Sequence, residues 1–132
     1  MSKQKYISKA VIYVKNREEV ERIIIETLPK DKTDAVYIFG SYNTEFFDED
    51  SDIDIGWFCR DVTDEERVLI EYELEQKTGR EIDLVFPDKK KMLLLNEVLA
   101  GRPIEMTEKF AAWFDDNIAE IMYNAEDLIA MM

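Results

Sequence analysis

Asp52 and Asp54 stand two residues apart in the segment DIDIGWF, whose other members are apolar or glycine. On a strand, residues two apart share a face, so both carboxylates would project from one side and Ile53, Ile55 and Trp57 from the other. Residues 81–86, EIDLVF, repeat the design, with Asp83 between Ile82 and Leu84. If the two strands are neighbours, all three carboxylates converge on one side of a sheet. Three such groups repel one another at neutral pH, and must either hold protons or be neutralised by cations. Magnesium meets that need: it is a hard ion held by a few carboxylate oxygens together with water and phosphate. Two such ions can clamp the attacking and leaving oxygens of an in-line displacement.

Upstream, Gly40-Ser41 closes the apolar run AVYIF. A glycine there permits the dihedrals of a tight turn, and Ser41 can open a helical turn whose free backbone N–H groups bind phosphate. A Gly-Ser pair alone is an ordinary strand end. The order gives it weight: strand, Gly-Ser, ten residues, Asp-x-Asp on a second strand, a lone Asp on a third.

The elements that must carry these residues are legible from pattern and punctuation. Residues 6–14, YISKAVIYV, read as an extended segment or edge strand. A helix is predicted over Arg17 to Leu28, capped by Asn16 and ended by Pro29, with Val20, Ile23, Ile24 and Leu28 at helical spacing. Ala35 to Phe39 suits a buried central strand and Asp52 to Phe58 a second. Between them, residues 41–51 form an acidic connection. Thr63, with Glu66 three residues on, caps a helix to Thr78, which Gly79 stops. Glu81 to Phe86 is the third strand, ended by Pro87. Lys89 to Leu99 is predicted as a helix. Thr107 then caps a long amphipathic helix with Phe110, Trp113, Phe114, Ile118, Ile121 and Met122 at intervals of three and four. This order predicts an α/β (α+β) domain, a mixed sheet layered by helices. Its single unit spans 1–132, with a core over about 17–105 and the last helix over about 107–130.

Composition removes several classes of function. Thirty acidic against 17 basic residues give a formal charge of -13, and such a field repels polyanions, so large nucleic acids are poor substrates. A nucleoside triphosphate remains compatible, because cations held by carboxylates reverse the local field. The absence of histidine excludes His-based acid–base catalysis and His-ligated zinc. Cys59, the one cysteine, has no intramolecular disulfide partner and suits a buried thiol. No apolar run reaches membrane-spanning length and MSKQKYISK has no signal-peptide core, so a cytoplasmic protein is expected. The Lys89-Lys90-Lys91 run, Arg60, Lys77 and Arg80 read as solvated charges. The stripe on the last helix reads mainly as core, with Met122, Met131 and Met132 available to a partner helix.

The arrangement G40-S41-x10-D52-I53-D54 followed by E81-I82-D83-L84-V85 resembles the nucleotidyltransferase superfamily that includes DNA polymerase β. More narrowly, it is similar to the minimal, MNT-type nucleotidyltransferases, over roughly residues 17–105. The resemblance implies that Asp52, Asp54 and Asp83 hold two Mg2+ ions, that Gly40 and Ser41 contact the phosphates, and that Asp83 helps ready the attacking hydroxyl. It also implies ATP as substrate and a HEPN-domain toxin as partner, with AMP transferred to a hydroxyl of that partner. This chain departs from many members after the turn: GSYNTEFF lacks the basic residues that often follow Gly-Ser, which removes positive charge near a triphosphate. Two other readings go with the same residues. One is an antitoxin that neutralises by binding alone; the other is nucleotidyl transfer to a small molecule such as an aminoglycoside, for which the chain has little length left to build an acceptor domain.

Overall fold

The computed structural model describes residues 17–40, 52–88 and 90–131, with side chains described as far as Ile121. The predicted extended segment at 6–14, Asn16 as a cap, and Ser41 with the acidic connection after it lie outside these residues.

Helix α1 (Arg17–Thr27) buries Val20 and Ile24 and leads through Pro29 and one 3-10 turn into strand β1 (Thr33–Phe39). Strand β2 (Ile53–Cys59) runs back antiparallel to β1. Helix α2 (Asp64–Thr78) begins as predicted, Thr63 Oγ1 accepting the Glu66 N–H at 3.1 Å, and ends on Gly79 in the left-handed conformation. Strand β3 (Ile82–Val85), helix α3 (Met92–Leu99), strand β4 (Arg102–Met106) and helix α4 (Glu108–Met131) follow. The sheet order is β3-β2-β1-β4, with β3 parallel to β2 and the other pairs antiparallel. The expected mixed sheet between helices is therefore what forms.

Beyond one-residue shifts at element ends, two boundaries and one element differ from the sequence reading for local reasons. Strand β1 starts two residues earlier, because Thr33 is buried and its hydroxyl joins the Pro29 carbonyl to the Trp57 indole N–H. Helix α3 starts at Met92 rather than Lys89: the Asp88 carboxylate accepts the backbone N–H groups of Lys90 and Lys91, a local turn that competes with helix. Strand β4 was not expected at all. Its sequence RPIEM carries a proline and no clean alternation, both acceptable on a strand whose only partner among the described residues is β1.

Alternation on β2 sorts the two cores. Ile53, Ile55 and Trp57 join Val36, Ile38, Ile82 and Leu84 beneath α1 and α2. The opposite face carries Ala35, Tyr37, Phe39, Phe58 and Val85 against Val98 of α3 and Phe110, Trp113 and Phe114 of α4. Trp113 and Phe114 thus pack toward the sheet, as expected of a core stripe, whereas Met122, Met131 and Met132 carry no described side chain. Gly56 lies between Asp54 and Phe58 because α3 crosses there: a Cβ on it would collide with Val98 Cγ1. Arg80 is a correction. Expected as a solvated charge, it is only 3% exposed, because the chain folds inward between the Gly79 cap and β3.

Candidate active site

Strand register sets Asp83 beside Asp54, and Asp52 follows from its place two residues before Asp54. Asp54 pairs with Phe39 across β1 and β2, and with Asp83 across β2 and β3. Asp52 stands exposed, one residue before β2. The end of β1 and the starts of β2 and β3 therefore share one edge of the sheet, and the neighbouring strands that the sequence reading required are present.

Gly40 closes this edge with φ +76°. A Cβ on Gly40 would run into Oδ2 of Asp54, so the turn is packed directly on that carboxylate. Glycine is required twice over: by the left-handed backbone and by the close approach. Gly40→Ala is expected to add about 1–2 kcal/mol of backbone strain. It should also displace Asp54, with a loss of about 10²-fold in any activity that depends on that carboxylate's position. Steady-state turnover compared with a melting curve of the same variant separates the two effects.

The electrostatics point the same way. Partial burial, then the charges of Asp83, Asp52 and Glu97, push the Asp54 carboxyl up from 3.8 to about 6. The arrangement thus concentrates negative charge around a half-buried group, and among the described residues no cation counts among the causes of its shift. Glu97, on α3, was not singled out in the sequence. It sits in the apolar run MLLLNEVL, and only the folding of α3 back across Gly56 brings it near Asp54.

Whether such a site suits a divalent cation can be judged from its donors. All are carboxylate oxygens, hard ligands that Mg2+ prefers. The raised Asp54 carboxyl marks a place where added positive charge would be favourable. Among the described residues, no three carboxylates stand close enough together to enclose an ion on their own. Mg2+ rarely needs a full protein cage, because one or two carboxylates plus substrate phosphates and water complete its shell. The donor set fits an ion completed by substrate.

Cys59 contributes nothing nucleophilic. Burial, then the nearby Asp34 charge, raises its thiol to about 11, so the thiolate is scarce at neutral pH. Arg60 pairs with Asp34 at 3.4 Å, at the end of β1 and β2 opposite the acidic edge, and Lys77 pairs with Glu73 at 3.8 Å along α2.

No curated protein matches the sequence. Solved structures do match the fold. A chain from a mutant of the toxin–antitoxin MntA-HpeT superposes with a TM-score of 0.67 at 20% identity, covering 89% of this chain and 95% of that one. A chain from the tri-AMPylated Shewanella oneidensis HEPN toxin in complex with MNT antitoxin gives 0.66 at 23% identity, over 88% and 95%. A chain from a toxin–antitoxin with AMP-PNP gives 0.65 at 22% identity, over 89% and 95%. These likenesses agree with the mixed sheet layered by helices. The family model described as polymerase beta, nucleotidyltransferase matches residues 21–109, which include Gly40, Asp52, Asp54 and Asp83, and the chain accordingly belongs to the polymerase beta nucleotidyltransferase family.

Proposed function

We propose that this chain is a Mg2+-dependent nucleotidyltransferase that moves AMP from ATP to a hydroxyl of a HEPN-type partner protein and thereby acts as its antitoxin. The observation that carries the reading is the paired register of Asp54 with Asp83, with Gly40 seated on the Asp54 carboxylate. In the reaction, the acceptor oxygen bonds to the α-phosphorus, the bond from that phosphorus to the bridging oxygen breaks, and pyrophosphate leaves. The acceptor's proton must pass to a base. Asp83 is suited to orient the hydroxyl, since it is the most exposed of the paired strand positions at this edge. Asp52 and Asp54 would hold the metal, with Asp83 as a third ligand to one of two ions. Mg2+ supplies charge neutralisation for the phosphates when bound. Gly40 and Ser41 would receive the distal phosphates on backbone N–H groups.

The choice of AMP and of a protein acceptor is supported by two structural relatives. One is a complex whose HEPN toxin is tri-AMPylated; the other holds AMP-PNP. The aspartate set supports catalysis over mere binding, because a surface neutraliser would not need it. The rival reading, an antitoxin that neutralises by binding alone, draws on the sequence GSYNTEFF with no basic residue, and on side chains that do not preassemble an ion cage among the described residues.

One experiment decides between them. Wild type and the Asp52→Ala/Asp54→Ala variant are co-expressed with a HEPN-type partner, and the partner's intact mass is measured. We expect one or more AMP adducts with wild type and none with the variant. If wild type leaves the partner unmodified while both proteins still protect cells, the binding-only reading replaces this one.

A further inference from the structure

Helix α2 carries two apolar faces. Leu74 and Ile70 pack into the core beneath the sheet, whereas Val68 and Leu69 are each 64% exposed and Tyr72 is 60% exposed. Val68 and Tyr72 are four residues apart and Leu69 lies beside them, so the three form a continuous ridge on one side of the helix. They are three of the four exposed large apolar side chains among the described residues. A groove of about 490 Å³ lined by Asp64, Arg67, Val68, Glu71, Tyr72 and Glu75 runs along the ridge.

Three features narrow what can lie there. First, a partner strand is blocked. Strand β3 is the edge of the sheet, but its outward N–H groups are already taken: Glu75 Oε2 accepts the Ile82 N–H at 3.1 Å and Glu71 accepts that of Leu84. These carboxylates shield the edge, as natural sheets often do. Second, the rim is acidic. Asp64, Glu71 and Glu75 line the groove against Arg67. Two copies of this face would therefore meet with like charges, which is costly at an interface. Third, an apolar ridge of this spacing beside a groove matches the way one amphipathic helix receives another.

We propose that the Val68–Leu69–Tyr72 face of α2 is a docking surface for a basic amphipathic helix of a partner protein. Apolar side chains of that helix cover the ridge, and its Lys or Arg residues meet the acidic rim. The surface is independent of the acidic edge that carries the proposed chemistry.

The test uses the full chain and a synthetic amphipathic helix of Leu and Lys as probe, with a Leu and Glu counterpart as control. Binding is measured by fluorescence anisotropy and mapped by amide chemical shifts. We expect the Lys peptide to bind, weakening with salt, to perturb residues 65–72, and to lose about tenfold or more in affinity to Val68→Gln/Leu69→Gln. Glutamine keeps helix propensity at these exposed positions, and an unchanged melting temperature checks the fold. Leu93→Gln, at the remaining exposed apolar site on α3, should bind as wild type does. Equal affinity for the α2 variant and wild type, or an equal loss in Leu93→Gln, overturns the proposal. So does a wild-type dimer that Val68→Gln/Leu69→Gln converts to monomer, which would assign the face to a second copy. The basic, acid-free residues 1–16 are the remaining competitor. Faster hydrogen exchange at 68–72 in Lys3→Glu/Lys5→Glu/Lys9→Glu would place them on the ridge and likewise overturn it.

Discussion

Asp54→Asn is expected to lower nucleotidyl transfer by about 10³-fold or more, roughly 4 kcal/mol of transition-state stabilisation, while making the protein more stable at neutral pH. The loss follows from the proposed role: asparagine has nearly the shape of aspartate but no charge with which to hold a cation. The gain follows from the surroundings. Asp54 is partly buried and faces the charges of Asp83, Asp52 and Glu97, which raise its carboxyl from 3.8 to about 6. Between these values the folded state keeps a proton that the unfolded state has released. The folded protein therefore loses stability as pH rises from 3.8 to about 6, and the cost of the ionised group is fully present above that window. The variant has no such cost. Thermal melts in the absence of divalent cation should show Asp54→Asn above wild type at pH 7, with the difference disappearing below pH 3.8. Equal melting temperatures across that range would mean that the acidic edge is not strained by charge. Undiminished transfer by the variant would remove Asp54 from the chemistry.

Trp57→Ala is expected to destabilise the fold by about 3–5 kcal/mol, a large part of the roughly 5–15 kcal/mol that holds a domain of ordinary stability. Trp57 is fully buried in the core beneath α1 and α2. Its ring meets Phe86 edge-on at a centroid distance of 5.6 Å, and its indole N–H donates to Thr33 Oγ1 at 2.9 Å. Thr33 in turn donates to the Pro29 carbonyl at 2.7 Å. Alanine leaves a cavity under the sheet and removes the donor to the buried Thr33 hydroxyl. Trp57→Phe, which keeps most of the volume and loses the hydrogen bond and part of the ring packing, should cost about 1–2 kcal/mol less than alanine. Urea denaturation of the three proteins checks both values. A Trp57→Ala midpoint close to wild type would mean that the core refills the space.

The two effects are opposite because the residues lie on opposite faces of one strand. Ile53, Ile55 and Trp57 face an apolar core where every removed atom is missed; Asp54 faces a site whose charge opposes folding. Stability surrendered at a site that needs charge is a common cost of function.

Much of this was fixed by local chemistry. The Thr63 cap and the Gly79 stop bound α2 because side-chain capping and left-handed backbone are decided within a few residues. The alternation DIDIGWF forced Asp54 and Trp57 to opposite faces because a strand has period two. Gly40, Asp52, Asp54 and Asp83 could be nominated as a candidate set from residue type and spacing. Contacts between distant segments could not be. The parallel register that sets Asp83 beside Asp54, the seating of Gly40 on the Asp54 carboxylate, the approach of Glu97 and the pairing of β4 with β1 each join residues that no local pattern links. So do the burial of Arg80 and the shielding of the β3 edge by Glu71 and Glu75. Backbone preference and capping act over a few residues, so the sequence alone sets where elements begin and which way their side chains face. Register and the approach of distant charges depend on how the assembled sheet and helices bury their surface together, and only the tertiary structure decides them.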